Sequence, residues 1–344
     1  MEYGSFEIKM QYVPYDEINE PNVIVDGAAN AHTVLTLSHW PDSNTPNNLK
    51  DDLSAQIVFH YLDRPELHVT ASIVSNNHFD QDGLIGIYCL LDPSAAQSQR
   101  AFLIDIAAAG DFATYQFREA ARVAFVLAAF ADPDLSSLDP TIFRERYPTM
   151  AGRLYQELLP RLPEIVNHTD RFRSYWEHED AMLNESEAMI RNGTIQIEEI
   201  PDLDLAVVTL PESLPGRKAH RFTSIRNAAC HPMALNNAIR SFRVLLMQGQ
   251  SYELQYRYES WVQYISRKPL PRIDLTPLAD EFSAMEQGSA RWTFHGVDQI
   301  TPALTLSGSE QSCIPPETFR SHVAEFLKAK RKRDSAQPGE MRVL

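Results

Sequence analysis

The chain has 344 residues, 44% of them hydrophobic and 22% charged, a composition typical of a globular protein with room for two domains. Its net charge of −15 disfavours nonspecific binding to long nucleic acid or to an anionic membrane. No apolar run approaches the roughly 20 residues of a membrane span, and three scattered cysteines, Cys89, Cys230 and Cys313, argue against a disulfide framework and a cysteine-zinc site.

Apolar strands alternate with helices over residues 1–132. The pattern predicts strands over 22–27, 32–38, 69–74 and 101–104, and helices over 49–62, 83–91 and 117–130. Near-continuous apolar strands that alternate with helices are typical of an α/β fold with a mainly parallel sheet flanked by helices. In such a sheet the polar residues that follow the strands line the binding crevice. Here those residues are Asp26, His39, the stretch 78–82 and Asp105.

Helical periodicity continues over residues 133–194, where prolines divide the chain into several amphipathic helices. From residue 195 the pattern changes to strands over 195–200, 205–210 and 292–296, a hairpin over 242–258, and helices over 233–240 and 275–286. We therefore predict four parts: an α/β domain over 1–132, a helical connector over 133–194, a smaller α+β domain over 195–310, and a C-terminal helix with a charged tail over 311–344.

Charge is distributed unevenly along the chain. The segment 211–275 contains ten basic and four acidic residues, so its net charge is +6, and the rest of the chain carries −21. One interpretation is that the acidic part holds metal ions and the basic part binds an anionic substrate. The alternative is that the arginines pair with the acidic part across a domain interface.

The most informative stretch is 78-HFDQDG-83, which follows a predicted strand. His78, Asp80 and Asp82 alternate, so in an extended segment their side chains point the same way and can face one ion or a pair of ions. One imidazole and two carboxylates suit Mn²⁺, Mg²⁺, Fe²⁺ or Zn²⁺. Gly83 permits a tight turn into the following helix. The alternative is a polar turn in which Asp82 only caps that helix.

This stretch resembles the first motif of the DHH phosphoesterase superfamily, whose members hold two metal ions with two histidines and four aspartates. Three further segments resemble the other motifs: 23-VIVDG-27, Ser38-His39-Trp40 in place of Asp-His-His, and 102-FLIDIAAAGDF-112. The motifs stand in circularly permuted order: second, third, first and fourth. Permutation is tolerated where chain ends lie close together, since neighbours in space need not be neighbours in the chain.

The resemblance implies a set of metal ligands and a bridging role for one of them. Asp26 matches the carboxylate that bridges the two ions, and His39 keeps the metal-binding histidine of the triplet. The implied ligands are Asp26, His39, His78, Asp80, Asp82 and one of Asp105 or Asp111, and the implied catalytic residues are Asp80 and His39. Trp40 replaces the histidine that contacts the substrate phosphate, so a non-phosphate substrate is an open alternative.

The resemblance also implies a second domain that supplies positive charge to the substrate. The candidate substrate-binding residues are Arg221, Arg226, Arg240, Arg243 and Arg257. We predict a metal-dependent hydrolase, a phosphoesterase that uses a water activated by two divalent cations, Mn²⁺ first and Mg²⁺, Fe²⁺ or Zn²⁺ as alternatives. A metal-dependent enzyme with a non-phosphate substrate and a non-catalytic ligand-binding protein are the competing hypotheses.

The expected partner is a small anionic molecule, phosphorylated or a nucleotide, and not long nucleic acid or a membrane. A homodimer is compatible with the sequence. The N-terminal residues lack the charged and apolar regions of a secretory signal, and the three cysteines form no framework, so we expect a cytoplasmic location.

Overall fold

The structure, a computed structural model, describes residues 10–221 and 224–336, and the side chains of residues 220–227 and 332–336 lie outside that description. The chain folds into two compact units. The first comprises Met1–Ser186, Gly216–Asn237 and Val262–Lys268, and the second comprises Glu187–Pro215, Ala238–Trp261 and Pro269–Leu344. The division into four sequence-defined parts stays a prediction.

Strands and helices alternate at the start of the chain. The elements are β1 (Gln11–Tyr12), β2 (Asn22–Val25), β3 (Thr33–Leu37), α1 (Ser54–Leu62), β4 (Ile73–Ser75), α2 (Gln81–Leu91), α3 (Pro93–Ser98), α4 (Arg100–Asp111) and α5 (Arg118–Phe130). Three further helices follow: α6 (Tyr147–Leu158), α7 (Leu162–Asn167) and α8 (Arg173–Arg191).

The rest of the chain is richer in strands. Its elements are β5 (Gln196–Ile200), β6 (Leu205–Leu210), β7 (Arg217–Arg221), β8 (Ser224–Ala228), α9 (Pro232–Ala238), β9 (Arg243–Gln248), β10 (Ser251–Tyr256), α10 (Thr276–Met285), β11 (Arg291–Phe294), β12 (Ala303–Ser307) and α11 (Pro316–Ala336). The predicted hairpin is confirmed, since β9 and β10 pair antiparallel around a turn at Gly249, whose φ is 56°.

A parallel four-stranded sheet forms the centre of the first unit. The strand order is β1-β4-β2-β3, and every pair is parallel. Helix α2 contacts β1, β2 and β4, so closely that a Cβ on Gly86 would lie 2.6 Å from Val25 Cγ1. The predicted α/β class, with a parallel sheet flanked by helices, is therefore confirmed. All four strands end at the same edge of the sheet.

One predicted strand is wrong, and it concerns two candidate ligands. Residues 101–104 form the first turn of α4 instead of a strand. The buried residues Leu103, Ile106 and Ala107 recur at helical spacing, and the following alanines favour a helix. Asp105 and Asp111 therefore lie on a helix and not at the end of a strand.

The second unit contains a six-stranded sheet with the order β11-β12-β10-β9-β6-β5. Only the pair β6 and β9 is parallel among these strands. Buried residues of the sheet, such as Leu205 and Leu254, pack with Phe282 of α10 and Phe319 of α11 in one apolar core. Among the described residues, no helix combines the length and apolar character that a membrane span requires.

Candidate metal centre

Acidic and imidazole side chains meet where the parallel strands end. Asp26 follows β2 directly, His39 follows β3 after one residue, and residues 78–82 come shortly after β4. Asp111, the last residue of α4, joins them from a different layer. The sheet thus brings together residues that are far apart in the chain.

The Asp26 backbone adopts a left-handed conformation, with φ at 52°. Aspartate tolerates this conformation better than most residues, and strain of this kind is common at functional sites. Asp26 N–H donates to Leu37 O at 2.9 Å. The next residue, Gly27, has no room for a side chain, since a Cβ there would lie 2.3 Å from Asn77 Oδ1. The turn therefore fixes the backbone from which the buried Asp26 side chain projects.

A backbone carbonyl orients His39. Its Nδ1 lies 2.6 Å from Asp52 O, so Nδ1 carries a proton and donates to that carbonyl. Nε2 thereby faces the carboxylates, at 3.3 Å from Asp26 Oδ1, 3.4 Å from Asp111 Oδ2 and 3.9 Å from Asp82 Oδ2. A carbonyl that fixes the tautomer is the usual partner of a metal-ligating histidine.

The alternating triplet is divided between two sides of the cluster. His78 Nε2 lies 2.8 Å from Asp80 Oδ2 and 3.3 Å from Asp26 Oδ2. Asp80 also caps α2, because its Oδ1 accepts from Gly83 N at 2.7 Å. Asp82 instead reaches the start of α1, where both of its oxygens accept backbone N–H groups at 2.7 Å. The cap of α2 is therefore Asp80, whereas Asp82 points into the cluster.

Two groups of potential ligands share one residue. The first group is Asp26, His39, Asp82 and Asp111, and the second is Asp26, His78 and Asp80. The Asp26 carboxylate lies between them, with Oδ1 toward His39 and Oδ2 toward His78. The four-residue group is wholly buried, whereas the His78 side chain is 14% exposed, so solvent can reach the three-residue group.

Burial and mutual charge shift the pKa values of these side chains. Burial acts to raise the pKa of Asp26, but its contacts with His39 and His78 outweigh this and lower it. Burial and the charge of Asp26 raise the pKa of Asp82 to about 7 and also raise that of Asp80. Burial opposes a charge on His39, yet Asp26 and Asp82 raise its pKa to about 9. Without a cation, bound protons thus reduce the repulsion among the carboxylates. Divalent cations could reduce it in the same way.

The donor set fits divalent cations. Carboxylates with imidazoles are ligands for Mn²⁺, Mg²⁺, Fe²⁺ or Zn²⁺. Ion–ligand distances near 2.1 Å put atoms of one coordination shell within about 4.2 Å of each other, and the ligand atoms of each group lie within 4.8 Å. Asp111 ends α4, where the negative end of the helix dipole disfavours a carboxylate unless a cation is near. These buried groups could therefore hold a metal ion.

The alternative ligand Asp105 lies elsewhere. Its carboxylate accepts the backbone N–H groups of Gln116 and Phe117 at 2.7 to 3.0 Å, at the start of α5. Phe117 is the N-cap residue of α5 and Gln116 precedes it, so Asp105 anchors the chain that leads into this helix. Of the two candidates for the last ligand, the structure brings Asp111 to the cluster and leaves Asp105 outside it.

The predicted substrate-binding arginines belong to other surroundings or lie outside the description. The side chains of Arg221 and Arg226 are among those not described. Arg243 is buried in the second unit and donates to Leu203 O and Pro271 O. Arg257 is buried in the same unit and pairs with Glu259, and Arg240 is exposed there. Buried contacts within the second unit therefore occupy Arg243 and Arg257, and their role toward a substrate stays a prediction.

Several contacts around the cluster were not predicted from the sequence. Ser54 Oγ donates to Asp26 Oδ1 at 2.7 Å, and the Trp40 ring stacks on His78 with 4.9 Å between centroids. The loop Val262–Lys268 contacts His39, because Gln263 N donates to His39 O at 2.8 Å. In the sequence this loop is part of the basic segment, to which its exposed Arg267 and Lys268 belong.

Comparison with known proteins gives a family and no activity. The chain belongs to a family of unknown function, DUF6687, which it matches over residues 8–338. No curated protein and no solved structure matches the chain. The site itself is therefore the basis for any functional conclusion.

Proposed function

We propose that this protein is a metal-dependent hydrolase, a phosphoesterase that binds two divalent cations, with Mn²⁺ preferred, and attacks a small anionic substrate with water. The observation that carries the proposal is the shared carboxylate. Asp26 lies 3.3 Å from His39 through Oδ1 and 3.3 Å from His78 through Oδ2, so it belongs to both ligand groups. A bridging carboxylate is a common feature of sites in which two ions act together on one phosphoryl group.

The two cations would polarise the phosphoryl group and lower the pKa of the attacking water. The residues of this chain have separate tasks. His39, fixed through Nδ1 by Asp52 O, presents Nε2 to the buried group. His78 Nε2 and Asp80 Oδ2, 2.8 Å apart, would hold the second cation at the solvent-accessible side. Ser54 Oγ keeps Asp26 in place through its hydrogen bond to Oδ1.

Two further observations support a small anionic substrate. The loop Val262–Lys268, which is hydrogen-bonded to His39 O, carries two exposed cations, Arg267 and Lys268. Positive charge on a segment that is hydrogen-bonded to a ligand residue suits a phosphoester. Asp26, His39 and the stretch 78–82 follow the ends of parallel strands in an order that supports the resemblance to a circularly permuted DHH-like domain. A DHH-like ancestry for the first unit is part of this proposal.

A metal-dependent enzyme with a non-phosphate substrate is the second candidate. Trp40 favours it, since its half-buried ring covers one face of His78 and adds apolar surface beside the more open ligand group. An apolar wall suits a substrate with a hydrophobic neighbour of the scissile bond.

Elemental analysis of protein purified without chelator tests the metal centre, and a substrate panel tests the reaction. We expect about two divalent ions per chain, about half of them lost in His78→Ala and none lost in the matched control His60→Ala. His60 is an imidazole of the same unit that contacts Asp51 and no cluster residue. With Mn²⁺, we expect hydrolysis of bis(p-nitrophenyl) phosphate or nucleotides. Hydrolysis of p-nitrophenyl acetate alone would favour the second candidate, and protein without any bound ion would contradict both.

A further inference from the structure

The loop Val262–Lys268 is distant from the ligands in the chain but belongs to the same unit. Three of its backbone N–H groups donate to residues around His39. Gln263 N donates to His39 O at 2.8 Å, and Ile265 N and Ser266 N donate to Asp52 Oδ1 at 2.6 and 2.8 Å. The loop is therefore bonded both to His39 and to Asp52, the residue that orients the His39 ring.

Asp52 makes the connection because it uses both of its acceptor groups. Its carbonyl accepts from His39 Nδ1, and its carboxylate accepts from the loop. The residue is 9% exposed, so water does not readily replace these bonds. A displacement of the loop would shift Asp52, and a displacement of Asp52 would turn the imidazole.

An aromatic contact gives the loop a second connection to the same ligand group. The Tyr264 ring packs edge to face on Phe112 with 5.5 Å between centroids, and Phe112 directly follows Asp111. Phe112 also faces the His39 ring at 6.1 Å. The loop thus touches the neighbours of two of the four ligands in the buried group.

We propose that Asp52 is a positioning residue that couples the order of the loop Val262–Lys268 to cation binding at His39. The coupling rests on the proposed function only in requiring that a cation binds. A loop in place holds Asp52 and keeps His39 Nε2 aimed at the cation. By thermodynamic reciprocity, a bound cation that fixes His39 holds the loop in place more firmly. Arg267 and Lys268 follow Ser266 directly, so the same coupling acts on the backbone that carries them.

Hydrogen–deuterium exchange with mass spectrometry measures the coupling directly. The relevant amides are those of Gln263, Ile265 and Ser266, which the loop donates to His39 and Asp52. Saturating Mn²⁺ is expected to slow their exchange in the wild-type protein by about tenfold or more. A peptide from α10, in the second unit, serves as the internal reference and is expected not to respond.

Two isosteric variants and one truncation separate the role of Asp52 from a general effect of charge. In Asp52→Ala, we expect the Mn²⁺-dependent slowing to disappear and the affinity for Mn²⁺ to fall by about 10- to 100-fold, the usual consequence of losing a residue that orients a ligand. Asp52→Asn keeps an acceptor without the charge, so its values should fall in between. Asp51→Asn removes the adjacent charge that contacts His60 but keeps an oxygen that can accept from Asp52 N, so it should behave as wild type.

The outcomes distinguish this inference from the proposed function. Wild-type protein that binds Mn²⁺ while the loop exchanges at an unchanged rate would overturn the coupling and leave the metal centre intact. The same holds if Asp52→Ala and Asp52→Asn bind Mn²⁺ with wild-type affinity. Wild-type protein that binds none of Mn²⁺, Mg²⁺, Fe²⁺ or Zn²⁺ when titrated with each would overturn both the coupling and the proposed function. If Asp52→Ala does not fold, Asp52→Asn and the wild-type exchange still decide the question.

Discussion

Replacing Asp26 by Asn tests the shared carboxylate with little disturbance of shape. Asparagine has nearly the same volume and tolerates the left-handed backbone that Asp26 adopts at φ 52°. Its amide oxygen can still accept the hydrogen bond from Ser54 Oγ. What changes is the charge, and a neutral amide is a poor bridge between two cations. Both ligand groups contain Asp26, so both should lose affinity at once.

The size of the effect follows from mass action. A cation at 100 times its dissociation constant stabilises the folded protein by about 2.7 kcal/mol. In a unit of about two hundred residues, each kcal/mol shifts Tm by about 2–4 °C. Two cations should therefore raise the Tm of the wild-type protein by roughly 10–20 °C. Asp26→Asn should lose most of that rise, whereas Asp80→Asn and Asp111→Asn, each in one group only, should lose about half.

The assay is a thermal melt with and without Mn²⁺, combined with elemental analysis of the same samples. Asp63→Asn is the control, because Asp63 is an exposed carboxylate of the first unit that pairs with Arg100 and lies outside both groups. It should keep the full rise in Tm. The reasoning fails if Asp26→Asn still binds two ions per chain, or if Asp80→Asn alone removes both.

Three other predictions concern protons, the chain that leads into α5, and packing. The pKa of His39 is raised to about 9, and a cation needs the neutral imidazole. Below pH 9, binding of Mn²⁺ should therefore release a proton, and the affinity for Mn²⁺ should fall about tenfold when the pH is lowered from 8 to 7. Titration calorimetry in two buffers would measure both the proton release and the affinity. Constant affinity over that range would contradict it. Asp105→Ala removes the acceptor for Gln116 N and Phe117 N and should cost about 2 kcal/mol in urea unfolding, while the Mn²⁺-induced rise in Tm stays unchanged. A Cβ on Gly110 would lie 2.5 Å from Gln81 Cβ. Gly110→Ala should therefore destabilise the protein by about 1–3 kcal/mol and weaken Mn²⁺ binding at the neighbouring Asp111. Unaltered Mn²⁺ affinity would show that α4 accommodates the methyl group without moving Asp111.

The sequence was informative wherever chemistry follows a local pattern. Apolar strands that end in Asp26, in His39 and in the stretch 78–82 predicted a parallel sheet, which is confirmed, and they indicated that these residues would meet at its edge. Each strand and the polar residue after it can be recognised from a short stretch of sequence. The parallel pairing of the strands then brings these polar residues together at one edge of the sheet. The strands therefore predicted five of the six clustered residues without any knowledge of the loops.

Tertiary contacts decided what the sequence left open. The stretch that contains Asp105 and Asp111 has an apolar start that resembles a strand, whereas the alanines after it and the packing on α2 and α5 favour the helix. The hydrogen bond from Ile265 N to Asp52 joins residues 213 positions apart. Its donor is a backbone N–H group, so the type of residue 265 does not indicate the bond. The charge of Arg243 and Arg257 predicted a substrate contact, but charge alone does not distinguish an exposed arginine from one that is buried against carbonyls and Glu259.

The residues of the cluster also determine how many cations are needed to balance its charge. Four carboxylates and two neutral imidazoles amount to −4, which two divalent cations would cancel. An anionic ester would then bring surplus negative charge that only groups outside the cluster can compensate, and Arg267 and Lys268 are the nearest such groups in the chain segment fastened to His39. This loop would consequently govern the selection between charged and uncharged esters. A higher ionic strength should weaken the binding of a charged ester and leave the binding of an uncharged ester unchanged.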